Sequence, residues 1–195
     1  GYINGGTTPQ PIRVPVGNIA PEATTGIELK MNFDANAPVI DPAAIPFDPV
    51  DGNSFTHSLP IDVYDSLGNA HQLTQYFVKR EANAGGDSAW DVYYALDGEV
   101  LRINPTDATS APVTAEVTFD DAGRLVDPGF SHALTFTGIG SASSPAEDLE
   151  ITVNYSGSTQ FGGDFSTSFV QNGHATGEYA SMSIASDGAI VARYT

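Results

Sequence analysis

Short runs in which apolar and polar residues alternate with a period of two recur through this chain, each closed by Gly, Pro, Asp or Asn. No other feature constrains its fold as much. Ile27, Leu29, Met31 and Phe33 fall on one face of GIELKMNF, and Trp90, Val92 and Tyr94 alternate with Asp91, Tyr93 and Ala95. Val113, Ala115, Val117 and Phe119 repeat the pattern, as do Leu149, Ile151, Val153 and Tyr155, and near the end Ile190, Ala192 and Tyr194. Successive side chains of a strand point to opposite faces, so such runs are half-buried strands. No window carries a 3.6-residue stripe. The best helical candidate is SPAEDL at 144–149, where Ser144 and Pro145 could cap a single turn. The sequence therefore predicts an all-β protein of about ten strands, in antiparallel sheets forming a sandwich or barrel.

Composition supports a packed core: 195 residues with 41% apolar content are enough to bury one. Two stretches read as loops. Asp34–Ser54 holds Pro38, Pro42, Pro46 and Pro49, too many for a core strand, and Gly138–Ser144 is built of small residues. The N-terminal stretch looks extended, with Ile12–Val16 as an edge-strand candidate.

Charge excludes several functions. The net charge is −17, and the seven basic residues, Arg13, Lys30, Lys79, Arg80, Arg102, Arg124 and Arg193, are scattered. No basic stripe exists to neutralise phosphates, and an anionic membrane surface would repel the chain. There is no cysteine, which removes disulfides, thiolate nucleophiles and Cys-based metal sites. No apolar run approaches the ~18 residues of a membrane span, and the Gly/Thr/Pro-rich opening does not read as a signal peptide.

IDVYDSLGNAHQL, residues 61–73, gathers an acid, a serine, an amide and a histidine. The same order of strand, acid, small residues, glycine and strand returns at 119–126 and 185–191. Glycine supplies the positive φ that tight hairpins need, and Asp bonds its own turn backbone. Asp65, Gly68, Asn69, Asp120, Gly123, Asp187 and Gly188 are therefore assigned to structural hairpin turns. Ser66 has no Gly-x-Ser-x-Gly context and His71 opens a strand, so no triad is expected. His57, His71, His132 and His174 lack metal-ligand spacing, and Asp41, Asp48, Asp51, Asp120 and Asp121 form no Asp-x-Asp-x-Asp-Gly loop. Gly138-Ile139-Gly140 only half matches a dinucleotide fingerprint and no βαβ pattern surrounds it. Asn154-Tyr155-Ser156 is a formal glycosylation sequon at a strand end. No catalytic residue, metal site or cofactor is expected.

The run Val63-Tyr64-Asp65-Ser66-Leu67-Gly68-Asn69-Ala70-His71, continued by Tyr76-Phe77-Val78-Lys79, closely resembles the bacterial flagellar hook protein family. Phe55-Thr56-His57-Ser58, Trp90-Asp91-Val92-Tyr93, Gly157-Ser158-Thr159-Gln160 and Asp187–Tyr194 are similar to further family segments in the expected order. The resemblance implies a structural subunit, not an enzyme. Hook proteins assemble into a curved extracellular tube, a universal joint between motor and filament, after export through the flagellar secretion channel. Their terminal segments form a helical inner core and their middle forms β domains. By this resemblance the chain looks like an excised middle: an outer β domain at 21–172 and parts of an inner β domain at 1–20 and 173–195. The implied partners are copies of itself and other flagellar axial proteins, with no nucleic acid or membrane. The fragment alone is expected to be monomeric. Asp41, Pro42, Asp48, Pro49 and Asp51 mark the loop expected near subunit contacts.

Two other readings stand beside this one. A surface adhesin or carbohydrate-binding sandwich would use exposed aromatics, Trp90 foremost. A calcium-dependent hydrolase ranks last.

Overall fold

The computed structural model describes residues 17–141, 143–187 and 189–194. Ile12–Val16 lies outside them. By internal contacts the chain divides into two compact units, Pro21–Ala175 and Gly1–Ala20 with Thr176–Thr195.

Unit Pro21–Ala175 is a β-sandwich. Its first sheet is built on β1 (Gly26–Asp34), flanked on one side by β12 (Ser166–Gln171) and on the other by β10 (Leu149–Asn154) and β11 (Thr159–Phe161), with β7 (Ser131–Phe136) beyond β10. The second runs β2 (His57–Tyr64), β3 (Ala70–Arg80), β4 (Ser88–Leu96), with β5 (Glu99–Val100) and β6 (Thr114–Phe119) both pairing with β4. A small hairpin, β8 (Gly140–Ser141) and β9 (Ser144–Pro145), falls where a loop and a helical turn were expected. Among the described residues there is no helix.

The all-β expectation holds, with one change in strand direction. β1 pairs antiparallel with β12 but parallel with β10 and β11. A parallel neighbour needs a long crossover. Here residues 35–148, including the whole second sheet, form it, a long-range pairing that local alternation cannot reveal. The chain has 14 strand segments among the described residues, more than the expected ten, because four are only two or three residues long.

The alternating residues point where their period requires. Ile27, Leu29, Met31 and Phe33 face Leu73, Phe77, Trp90, Val92 and Val117 across one core. Phe33 lies against the rings of Phe77, Trp90, Phe119 and Phe165 at 4.9–5.5 Å between centroids. β4 is buried on both faces: Trp90, Val92 and Tyr94 point inward, while Ala89, Tyr93 and Ala95 point outward yet remain covered. β2 is an edge strand, which explains how Pro60, lacking an N–H, is tolerated opposite Thr74.

In the other unit, β13 (Tyr179–Ile184) and β14 (Ile190–Tyr194) form an antiparallel hairpin. Ile19 and Gly177 exchange backbone hydrogen bonds of 2.8 and 3.1 Å.

Candidate functional site

The 65–69 segment is a hairpin turn held by its first residue. The Leu67 and Asn69 amides donate to Asp65 Oδ1 at 2.9 and 2.8 Å, and Asn69 Nδ2 donates to Oδ2 at 2.8 Å. Gly68 N–H donates to the Asp65 carbonyl, and Asp65 N–H to the Asn69 carbonyl, both at 3.0 Å. Gly68 sits at φ 83°, which a side chain would strain. This is a type I turn followed by a left-handed glycine, a three-residue hairpin loop. Asp65 is fully buried. Burial raises its carboxyl, but hydrogen bonds from Asn69, His71 and Leu67 outweigh that and hold it below its ordinary value.

The same hydrogen-bond set recurs at Asp120–Arg124, where the Ala122 and Arg124 amides donate to Asp120 Oδ1 and Gly123 has φ 72°. It recurs again at Asn83–Asp87, with Asn83 Oδ1 accepting the Gly85 and Asp87 amides and Gly86 at φ 90°. That third example escapes a search for an acid because the leading residue is Asn, though its carbonyl oxygen accepts equally well. In the turn between β13 and β14, Ala185 N–H closes onto the Ala189 carbonyl at 2.8 Å. Asp187 is then the third residue of that turn, not the first, and its Oδ1 accepts the Ala189 amide at 3.0 Å. Gly188 lies outside the described residues.

His71 does not serve Ser66. Its Nδ1 lies 2.7 Å from Asp97 Oδ2 and its Nε2 3.4 Å from Asp65 Oδ2. Ser66 Oγ instead accepts the Glu147 amide at 3.0 Å. Asp97 and Gly98, at φ 51° and 87°, form a two-residue β4–β5 turn. The Asp-Gly dipeptide between two strand-like runs was the signal for it. The other histidines are separate. His57 stacks on Phe165 at 3.9 Å, His132 on Tyr94 at 5.6 Å, and His174 pairs with Glu22 at 3.6 Å. Burial lowers the His57 and His132 imidazoles. Among the described residues no group of His, Asp and Glu could hold a metal ion.

The proline-rich loop is an ordered cover on the outer face of the β2–β4 sheet. Phe47 stacks on Tyr93 at 4.1 Å, and Phe55 meets the edge of Tyr76 at 5.0 Å. With Ile40 and Val78 these rings make a second small core. Lys79 Nζ anchors the loop's start by donating to the Ala35 and Ala37 carbonyls at 2.6 and 3.1 Å. Asp41, Asp48 and Asp51 each accept the amide two residues on, at 2.9, 3.0 and 3.0 Å, so these carboxylates shape turns. Asp41, Pro42 and Asp48 are exposed, Pro49 and Asp51 half-buried, and Val50 at the tip is 89% exposed. An open groove of about 1060 Å³ separates Ala44–Asn53 from Val100, Arg102 and Thr109–Pro112.

The Gly157–Gln160 segment stitches the two sheets together. Ser158 Oγ accepts the Met31 amide, Thr159 Oγ1 donates to Asn32 Oδ1, and Gln160 N–H donates to the Gly123 carbonyl. Gln160 Oε1 accepts the Trp90 indole N–H at 2.7 Å. Trp90 itself is 0% exposed, so its ring offers no platform to a sugar.

A sequence model of the family described as the flagellar basal body protein FlaE D2 domain matches residues 32–174. The flagellar hook protein FlgE of Salmonella typhimurium is 31% identical over 195 residues, which are 99% of this chain and 44% of that protein. FlgE of Escherichia coli is 29% identical over the same coverage. The chain thus spans less than half the length of these relatives. The crystal structure of the flagellar hook protein FlgE2 of Helicobacter pylori aligns at TM-score 0.47 and 17% identity, over 71% of this chain and 29% of that one.

Proposed function

Because the chain belongs to the flagellar FlaE D2 domain family, matched over residues 32–174, we propose that it is part of a structural subunit of the flagellar hook. In this reading unit Pro21–Ala175 contains the outer β domain, assigned to 21–172. Segments 1–20 and 173–195 belong to an inner β domain. The hook is a curved, extracellular homopolymer joining motor to filament, its subunits exported through the flagellar channel. The observation that carries the proposal is the family match. It is supported by where the segments that resemble the hook family act: Asp65–His71 closes a turn, Gly157–Gln160 joins the sheets, and Lys79 anchors a loop. Each serves the scaffold, as expected of a subunit that works through contacts.

The loop carrying Asp41, Pro42, Asp48, Pro49 and Asp51 is the proposed contact surface between neighbouring outer domains. It is ordered and exposed, with the Asp41 and Asp48 carboxylates beside an apolar tip at Val50. Such modest, wet interfaces let neighbours slide as a tube bends. Charge reversal at Asp41, Asp48 and Asp51 in the full-length subunit should alter hook curvature and swimming, and unchanged curvature would remove the loop from the interface. The functional assignment is tested by immunogold microscopy of intact source cells with antibody to this chain. Label confined to a short curved segment at the base of each flagellum is the expected result. Label spread over the cell surface would overturn it.

A further inference from the structure

His71 is held between carboxylates from two different turns. Asp97 Oδ2 approaches Nδ1 at 2.7 Å, and Asp65 Oδ2 approaches Nε2 at 3.4 Å. A neutral imidazole has one N–H and one lone pair, so one carboxylate would then face a lone pair. Only the imidazolium donates to both. We infer that His71 is a proton-operated latch: charged, it ties the Asp65–Asn69 turn to the Asp97–Gly98 turn, and on losing its proton it lets the Asp65 side go.

The two contacts are unequal in a way that orders the release. Asp97 makes the shorter bond and is also fixed by the Gln72 amide, which donates to its Oδ1 at 2.8 Å. A neutral His71 therefore keeps its remaining proton on Nδ1, and its bare Nε2 turns against Asp65. Asp65 organises the 65–69 turn through its other bonds, so the turn loosens with it. The disturbance reaches a third segment, because Ser66 Oγ accepts the Glu147 amide. Further charges around the latch are Glu99 and Arg102, which line the same cavity as His71 and Asp97, and the exposed carboxylate of Glu147. Among these named groups four are acids, Asp65, Asp97, Glu99 and Glu147, and one is a base, Arg102, a balance that favours the proton.

The titration directions agree with this geometry. Burial pulls the His71 imidazole down, and the bonds and charges of Asp97 and Asp65 outweigh it, leaving it above its ordinary value. A raised folded value means the latch contributes fully below about pH 6.5 and fades as pH climbs through the folded value. For Asp97, too, burial raises the carboxyl and the His71 and Gln72 bonds win, so it sits low, as Asp65 does. The latch is therefore also lost in strong acid, and it is closed from mildly acidic to neutral pH.

The test is an NMR titration of the 195-residue chain that follows the His71 ring nitrogens and amide-exchange protection at Leu67 and Asn69. The expected result is a doubly protonated His71 at pH 6, titrating well above His57 and His132. Protection at Leu67 and Asn69 should then fall about tenfold as His71 titrates, while Trp90 and Val92 hold theirs. Asp97→Asn keeps the turn, since Asn-Gly also accepts positive φ, and should move both transitions to lower pH. His71→Gln should make protection at Leu67 and Asn69 independent of alkaline pH. A His71 that titrates at or below its ordinary value, or protection that ignores its titration in the parent chain, would overturn the latch.

Discussion

Replacing Tyr155 by Phe removes one oxygen from the centre of the sandwich and should destabilise it out of proportion to that change. Tyr155 is fully buried, and its hydroxyl donates to Gln75 Oε1 at 2.6 Å. The Tyr94 hydroxyl lies 2.9 Å away. Since the Tyr155 proton goes to Gln75, Tyr94 is the donor in that second bond. Burial raises both phenols above their ordinary value, so both stay protonated at any physiological pH. Tyr155→Phe leaves the Gln75 oxygen without a donor and the Tyr94 hydroxyl without an acceptor. Each orphaned buried group costs about 1–3 kcal/mol, and the phenylalanine no longer desolvates a hydroxyl, so the net loss is about 3 kcal/mol. For a unit of this size that is a fall of about 6–12 °C in melting temperature. Calorimetry and urea unfolding followed by near-ultraviolet dichroism would measure it. Removing the partners together, as Gln75→Leu, Tyr94→Phe and Tyr155→Phe, should recover most of the loss, because no polar atom is then stranded. A single variant within about 0.5 kcal/mol of the parent, or a triple variant less stable than the single, would show that the Gln75–Tyr155–Tyr94 bonds do not hold the core.

Gly123→Ala should cost more than Gly86→Ala. Both glycines have positive φ, worth about 1–2 kcal/mol against an L side chain, but a Cβ on Gly86 would meet open space while one on Gly123 would collide with the Gln160 carbonyl. The expected total is about 3 kcal/mol or more, and equal losses in urea unfolding would show that the turn and β11 are not tightly docked. Acid should unfold the chain through its low-lying carboxylates. Asp65, Asp97 and Asp120 all sit below their ordinary values, so their stabilisation is present above about pH 4 and is lost as pH falls through the folded values. Asp65→Asn should flatten the decline in melting temperature between pH 5 and 2, and an unchanged slope would show that Asp65 contributes none of it.

Much of the fold was legible because it depends on period two. The residues of GIELKMNF that alternate as apolar are those whose side chains reach the core. Tertiary cover was not legible. Tyr93 and Val78 look like solvent-face residues of their strands, yet they are buried by Phe47, Phe55 and Ile40 from a loop that local pattern marks only as broken by proline. The parallel placement of β1 beside β10 was hidden for a similar reason, since their partnership spans most of the chain. The Asp65 and Asp120 turns could be read because side-chain acceptor and glycine are both encoded at fixed offsets. The Asp187 turn was misaligned because an acid at the third position gives a similar string with a different bond. The His71 bridge needs Asp97, 26 residues away, which spacing alone does not bring near.

A helical reconstruction of hooks purified from the source cells would show whether this chain forms the outer surface of the tube. Density for the two-sheet sandwich of residues 21–175 should repeat on the outer surface of the tube, with the 34–54 loop against a neighbouring copy. A hook whose outer surface is built from a different fold, with no place for the Trp90–Gln160 core, would contradict that placement.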